Sequence, residues 1–371
     1  MRTQIQGLFL ILVFLGCWSC DNNSDNLTDS VIEENGPDEN PDPSLYFPGT
    51  TSDDWETVSP EELGWNINAK QELLNLLEEK DTKAFIILKD GKIALEEYFG
   101  TFTKDSLWYW ASAGKTLTAF TVGIAQEMEL LDINEKSSTY LGEGWTSADM
   151  EKENMITIKN QLTMTSGLKD TAFDCVTANC LEYEADAGSR WAYHNGPYTL
   201  LESVVSEAAN TSFSAFFNMH LRNRIGMNGL WLSTNGLNNV YFSTARSMAR
   251  FGLLNLNHGV WKEDTILGDM DYISDMINTS QELNKSYGYL WWLNGKESFM
   301  APSLQVVFNG ALIPNAPADT YSGLGKNDQK LYIVPSKGLV IVRMGDNAGE
   351  SLLGPSSFDN ALWEKISNFI E

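Results

Sequence analysis

Two strand pairs, one near each end of the chain, bracket a long block of helical pattern, and this placement restricts the fold more than any other feature of the sequence. Ala84-Phe85-Ile86-Ile87-Leu88 and Ile93-Ala94-Leu95-Glu96-Glu97-Tyr98 are runs of strand length joined by Lys89-Asp90-Gly91-Lys92, whose Asp-Gly pair suits a hairpin turn. The second pair is Lys330-Leu331-Tyr332-Ile333-Val334-Pro335 and Leu339-Val340-Ile341-Val342-Arg343-Met344, with Ser336-Lys337-Gly338 as the turn and a closing helix from about Ser356 to Ile370. From 112 to about 300 the pattern is mostly helical, broken by Gly and Asn, and no internal repeat interrupts it. The expected fold class is α/β, in the α+β sense. Both ends of the chain complete one antiparallel sheet, the terminal helices flank it, and the helical block forms a lobe with the site in the cleft between lobe and sheet.

At the start of the helical block stands Trp110-Ala111-Ser112-Ala113-Gly114-Lys115, after which Leu117, Phe120, Ile124, Met128 and Leu131 recur at helical spacing. Ser112 and Lys115 are three apart, so a helix opening there puts the amine beside the hydroxyl. A desolvated lysine holds its proton weakly and is able to take one from the serine, while the helix N-terminus offers backbone N–H groups to the oxyanion. Ser-x-x-Lys is a short pattern, and Ser166-Gly167-Leu168-Lys169 meets it too without opening an apolar-periodic segment. A serine at a helix start is also a common cap.

The 371 residues are 43% hydrophobic and 20% charged, which allows a sizeable core, and the net charge of -25 leaves no basic stripe for nucleic acid. Thirteen acidic residues and no basic one lie between Arg2 and Lys70, so about half of the charge belongs to the N-terminal stretch. Arg2 precedes the apolar run Leu8 to Leu15, which has the length of a signal-peptide core. That run ends at Gly16-Cys17-Trp18-Ser19-Cys20, which resembles a bacterial lipoprotein processing box. Residues 1–20 are thus expected to be a lipoprotein signal peptide with Cys20 lipidated, Cys17 being the rival, because the acidic polar stretch begins directly after Cys20. The expectation is an exported protein held to a membrane by its N-terminal lipid, periplasmic or at the cell surface. Residues 21–54 read as a disordered acidic tether and 55–371 as the domain, opened by a capped helix from Ser59-Pro60-Glu61-Glu62 onward.

Cys175 and Cys180, with four residues between them, are expected to form a disulfide that pins a loop. No histidine pair accompanies them, so metal is not expected. Further on, Tyr193-His194-Asn195 lies in a loop ahead of a helix. A tyrosine near a lysine ammonium would ionise more readily and relay a proton, and Asn195 would hold a substrate amide; aromatic residues near a helix start also serve packing.

In their order and spacing, Ser112-x-x-Lys115, Leu162-Thr163-Met164-Thr165-Ser166-Gly167-Leu168, Tyr193-x-Asn195, Met248-Ala249-Arg250-Phe251-Gly252 and the paired C-terminal strands resemble the serine β-lactamase and penicillin-binding-protein-like hydrolases. Within that superfamily they are most similar to the class C β-lactamase, esterase and nylon-oligomer hydrolase branch, over roughly 55–371. The resemblance implies a β-lactamase/transpeptidase-like fold, Ser112 as the acylated nucleophile, Lys115 as its proton partner and Tyr193 as the base that also activates the deacylating water. It further implies that Asn195 orients the substrate, that the oxyanion hole uses the Ser112 N–H and one from the strand near Ser322 and Gly323, and that no metal or organic cofactor takes part.

Where β-lactamases and transpeptidases of this superfamily carry Lys-Thr-Gly on that strand, this chain reads Thr320-Tyr321-Ser322-Gly323-Leu324-Gly325, with Lys326 as the nearest substitute. Without an in-line cation, esters and neutral amides are better candidates than anionic penicillins. The expected function is a serine hydrolase acting on a small-molecule or peptide substrate through an acyl-enzyme. D-alanyl peptidase or β-lactamase activity, or a penicillin-binding sensor module without turnover, are the alternatives. No Gly-x-Ser-x-Gly or His-Glu-x-x-His occurs, and the three histidines are His194, His220 and His258.

Overall fold

The structure is a computed structural model that describes residues 42, 44–233, 239–349 and 354–371. The expected signal peptide, both candidate lipidation cysteines, Cys17 and Cys20, and most of the expected tether fall outside these residues. Its six-stranded sheet is built from β1 (Thr82–Lys89), β2 (Lys92–Tyr98), β3 (Trp292–Leu293), β4 (Tyr321–Gly325), β5 (Gln329–Val334) and β6 (Leu339–Gly345), all antiparallel in the order β2-β1-β6-β5-β4-β3. The two expected hairpins meet at the β1–β6 pair, where Ile86 faces Val342 and Ile87 faces Ile341.

Why these strands sit at the centre follows from their composition. Val340, Ile341 and Val342 are buried on both sides, as are Phe85, Ile86 and Ile87, so the runs are apolar throughout rather than alternating. Each such side chain contributes roughly 1.5–3 kcal/mol when it leaves water. One face is covered by α1 (Lys70–Glu79) and the closing helix α6 (Ser357–Ile370), where Trp363 packs edge-on against Tyr332. The other face takes α4 (Ala245–Leu256), which approaches so closely that a Cβ on Gly252 would lie 2.4 Å from Val340 Cγ1.

A buried ionic cluster fastens α6 to the sheet. Lys330 Nζ lies 2.8 Å from Asp359 Oδ2 and 3.1 Å from Asp328 Oδ1, and the Tyr332 hydroxyl donates to Asp359. Three buried charges are tolerable here because each finds its partners.

The helical lobe departs from one expectation. Helix α2 (Lys115–Glu127) is buried all round from Lys115 to Ala125 rather than along one stripe, so it runs through the core. Its threonines survive burial by bonding the helix or its neighbours. Thr116 and Thr121 donate to the carbonyls of Ala113 and Leu117, and Thr118 pairs with the Tyr198 hydroxyl.

Two boundaries also differ. The first helix begins at Lys70, not near Ser59, whose hydroxyl instead closes a turn with the Glu62 N–H. Residues 44–54, assigned by composition to the tether, lie on the domain. Phe47 is buried edge-on against Trp261, and the Arg250 guanidinium donates to the carbonyls of Gly49 and Ser52. One buried aromatic, the Arg250 bonds to these two carbonyls, an Arg246 bond to Asp53 O and one from the Tyr46 N–H to Asp90 O hold a stretch whose average composition reads as unstructured.

Candidate active site

Ser112 lies in a 3-10 turn, Ala111–Gly114, which leads directly into α2. Ala111 takes φ +47°, a conformation costly for a residue with a Cβ and one that marks a backbone held in place by its surroundings. Those surroundings are visible. The Trp110 N–H donates to Tyr241 O at 2.8 Å and its indole N–H to Ser243 Oγ at 2.8 Å, so a small strand, Asn239–Ser243, grips the turn from one side. Strand β4 presses on the other side, with the Gly325 Cα positioned so that a Cβ would lie 2.4 Å from Trp110 O.

The Lys115 amine donates to Ser112 Oγ at 3.0 Å. Lys115 is 2% exposed, and its Nζ sits over the rings of Tyr198, at 4.2 Å from the centroid, and Tyr193, at 5.2 Å. Burial lowers its pKa from 10.5 to about 7, against an opposing pull from Asp174. Ser112 remains half-buried and so reachable from solvent. The competing Ser-x-x-Lys pattern is dismantled by the fold, since Lys169 pairs with Glu182 on the surface and Ser166 Oγ accepts from the Leu168 N–H.

Tyr193 lies beside the same pair, with the Lys115 amine over its ring and its phenol close enough for Ser112 to influence its ionisation. Its ring is clamped between Trp292 and Phe173, both near parallel to it, and Trp191 and Tyr287 close the cage. Met164 props this loop from below, taking φ +60° and accepting the Ala192 N–H on its carbonyl and the His194 N–H on its sulfur. The expectation of an easily ionised tyrosine is corrected. Burial pushes the Tyr193 phenol well above its ordinary value, and the nearby Ser112 hydroxyl offsets only part of that. A neighbouring amine that is itself only weakly basic supplies too little positive charge to favour a phenolate. His194 is no substitute base either, because burial lowers its pKa to about 4.

Asn195 is buried at the start of a short helix, Asn195–Thr199, and donates from Nδ2 to Asp174 Oδ1 at 2.7 Å. Cys175 and Cys180 are disulfide-bonded, with Cα atoms 6.3 Å apart, in the loop that carries Asp174 and Phe173. Gly323 and Gly325 bring strand β4 against the Ser112 turn, a Cβ on Gly323 lying 3.3 Å from Ala113 O. The side chain of Ser322, one residue along the pleat, points to the opposite face, and its buried hydroxyl has no hydrogen-bond partner among the described residues. The backbone of Gly323 and Gly325, and not the Ser322 side chain, is what lies against the Ser112 turn. Lys326 is exposed past the end of the strand, so no lysine stands in line on β4.

Sequence reasoning missed Phe173, Asp174, Tyr198 and Trp292. Three of these lie beside Cys175 or the Tyr-x-Asn loop, closely enough to have been tested; Trp292 reaches the site only through the fold. An acidic cavity of about 700 Å³, lined by Gln126, Asp132, Tyr140, Lys159 and Asp275 among others, lies toward the far end of α2 and shares no residue with the site. Among the described residues no cluster of His, Cys, Asp or Glu is placed to hold a metal ion.

No curated protein matches the sequence. Among solved structures, one described as a 6-aminohexanoate-dimer hydrolase from Bacillus anthracis superposes with a TM-score of 0.64 at 20% identity, covering 87% of this chain and 88% of that one. A β-lactamase/D-alanine carboxypeptidase from Pseudomonas syringae gives 0.60 at 15% identity, with 84% and 99% covered. A penicillin-binding protein from Bacillus halodurans gives 0.57 at 15%, with 80% and 99% covered. These likenesses show the β-lactamase/transpeptidase fold. The family model described as Beta-lactamase matches residues 76–350, which span the Ser112 turn, the Tyr193 loop and strand β4, and the chain belongs to the β-lactamase family of serine hydrolases.

Proposed function

We propose that this protein hydrolyses esters or neutral amides through an acyl-enzyme on Ser112. The observation that carries this reading is the 3.0 Å contact between Ser112 Oγ and an amine whose pKa burial has lowered to about 7. Near neutral pH a large share of that amine is unprotonated and available as a base.

In this reading Lys115 Nζ takes the Ser112 proton as Oγ attacks the carbonyl carbon. The negative charge on the carbonyl oxygen is met by backbone N–H groups of the Ser112 turn and of the β4 edge. Tyr193, kept as a phenol, passes the proton from the Lys115 ammonium to the departing oxygen or nitrogen as the acyl–leaving-group bond breaks, and recovers it from Lys115. Water then enters by the same route in reverse: it gives its proton through Tyr193 to Lys115 as it attacks the acyl carbon, the acyl–Oγ bond breaks, and Lys115 returns the proton to Ser112 Oγ as the acid leaves. Ser112, Lys115 and Tyr193 thus share one proton, which needs no titration of the tyrosine.

Two features support a neutral substrate. No lysine stands on β4 to hold a carboxylate, and Asp174 places negative charge near Asn195 and Lys115. The rim adds apolar surface, since Leu304, Val306 and Val307 are exposed in a segment whose Gln305 amide donates to Trp191 O at 3.0 Å.

Intact-mass measurement after treatment with an uncharged fluorophosphonate tests the reading. A single adduct is expected on the wild type and none on Ser112→Ala, with turnover of short-chain nitrophenyl esters exceeding that of nitrocefin and D-alanyl peptides. No adduct on the wild type would overturn it, and an adduct on substrates without turnover would favour a penicillin-binding sensor.

A further inference from the structure

The mechanism above leaves unused a carboxylate that reaches into the site. Asp174 immediately precedes Cys175, so the Cys175–Cys180 disulfide closes a short ring directly behind it. Its Oδ1 accepts from Asn195 Nδ2 at 2.7 Å. A carboxylate only accepts hydrogen bonds, so Asn195 has to turn its NH₂ toward Asp174 and its oxygen the other way. That oxygen is buried and has no hydrogen-bond partner among the described residues, an acceptor left open inside the site.

We propose that Asp174 is a positioning residue for acylation: anchored by the disulfide loop, it fixes the Asn195 amide with its oxygen turned inward and holds negative charge within range of the Lys115 amine. This rests on the Ser112 acylation reading. The groups that face Lys115 are Ser112 on its own turn, Tyr193 from the loop, Tyr198 from the short helix and, behind Tyr198, Glu202 on α3 (Leu201–Ala208). Burial keeps both phenols protonated and raises Glu202 to about 8, so at neutral pH Asp174 supplies the negative charge of this set. An anion at this place stabilises the ammonium that forms when Lys115 takes the serine proton. It also keeps the resting amine more basic than burial alone would.

The two parts of the role separate in two variants. Asp174→Asn keeps an oxygen that accepts from Asn195 and removes the charge; Asp174→Ala removes both. The measurement is the rate of Ser112 labelling by an uncharged fluorophosphonate between pH 5 and 9. In Asp174→Asn the acid limb is expected to move to lower pH by about half a unit, because Asp174 is exposed and its field is screened, with the plateau within about threefold of wild type. In Asp174→Ala the plateau is expected to fall about tenfold as the amide loses its fixed orientation. An unmoved acid limb in Asp174→Asn, or equal losses in both variants, would overturn the proposal.

A double-mutant cycle on melting temperature at pH 6, with Asp174→Asn and Lys115→Met, reads the same coupling without chemistry. Asp174→Asn is expected to destabilise the protein with lysine at 115 more than with methionine there; equal effects overturn the coupling. A wild type that fails to label sinks the Ser112 reading, and the cycle still decides on Asp174.

Discussion

Lys115 is placed where an ammonium is least stable, between two aromatic faces and with 2% of its surface exposed. The folded pKa of about 7 lies below the ordinary 10.5, so the unfolded chain binds the proton more tightly. Stability from this group is greatest above pH 10.5, declines as pH falls, and is at its lowest from about pH 7 downward. Lys115→Met is therefore expected to melt higher than wild type at pH 6, by the equivalent of about 1–3 kcal/mol, while losing Ser112 labelling altogether. Thermal melts and labelling on one preparation check both, and a variant that melts lower would show that the amine is not under strain. The same value predicts that wild-type acylation rises with pH through about 7. Ser112 and Lys115 were legible in the sequence because i,i+3 proximity is a local property of a helical turn. The direction of the Tyr193 shift was not legible, because it depends on the cage of Phe173, Trp292 and Tyr287, which come from distant segments. Asp174 is one of 50 acidic residues and acquires meaning only through Asn195.

At the scale of elements, period and turn chemistry specified the hairpins well, and β1, β2, β5, β6 and α6 lie where their apolar patterns and the Asp90-Gly91 and Ser336-Lys337-Gly338 turns place them. What period does not encode is how closely elements approach. Strand β4 touches the Ser112 turn through glycine, and Gly325 has an ordinary extended φ of -121°, so its requirement is space and not backbone freedom. An added Cβ would meet Trp110 O at 2.4 Å and the Ala113 nitrogen at 3.0 Å, both backbone atoms that cannot swing aside as a side chain would. Gly325→Ala is expected to move β4 off the turn and slow Ser112 labelling by about 10²-fold, the scale of a misplacement near 1 Å. Circular dichroism would show the fold retained, since the β4–β5 pairing survives a small shift. Undiminished labelling would mean that the β4 edge does not contribute to the oxyanion site. The all-round burial of α2 was likewise hidden, because its threonines look polar until their bonds to Ala113 O, Leu117 O and Tyr198 are seen.

Over the whole molecule, the sheet joins residues 82–98 to residues 321–345, so the central pairing forms only when both ends of the chain have met. The Lys330, Asp328 and Asp359 cluster then fastens α6 to β5 within the C-terminal part of the chain, and α6 packs beside α1 from the N-terminal part. The charge of the chain is divided in a way that bears on where the molecule works. Thirteen acidic residues precede Lys70, and the apolar run Leu8 to Leu15 with Gly16-Cys17-Trp18-Ser19-Cys20 comes before them. We infer that the chain is exported and anchored by lipid at Cys20. Expressing the full chain in a bacterial host and feeding an alkyne-tagged fatty acid tests this directly. Wild type is expected to take up the label and partition into the detergent phase. Cys20→Ser is expected to lose the label and move to the aqueous phase, while Cys17→Ser keeps both. The reverse pattern would transfer the anchor to Cys17, and an unlabelled wild type would remove it. Because Ser112, Lys115, Tyr193 and the β4 glycines all belong to the domain, Ser112 labelling in the released protein is expected to equal that of the anchored one, and a loss would place the N-terminal segment in the site's own support.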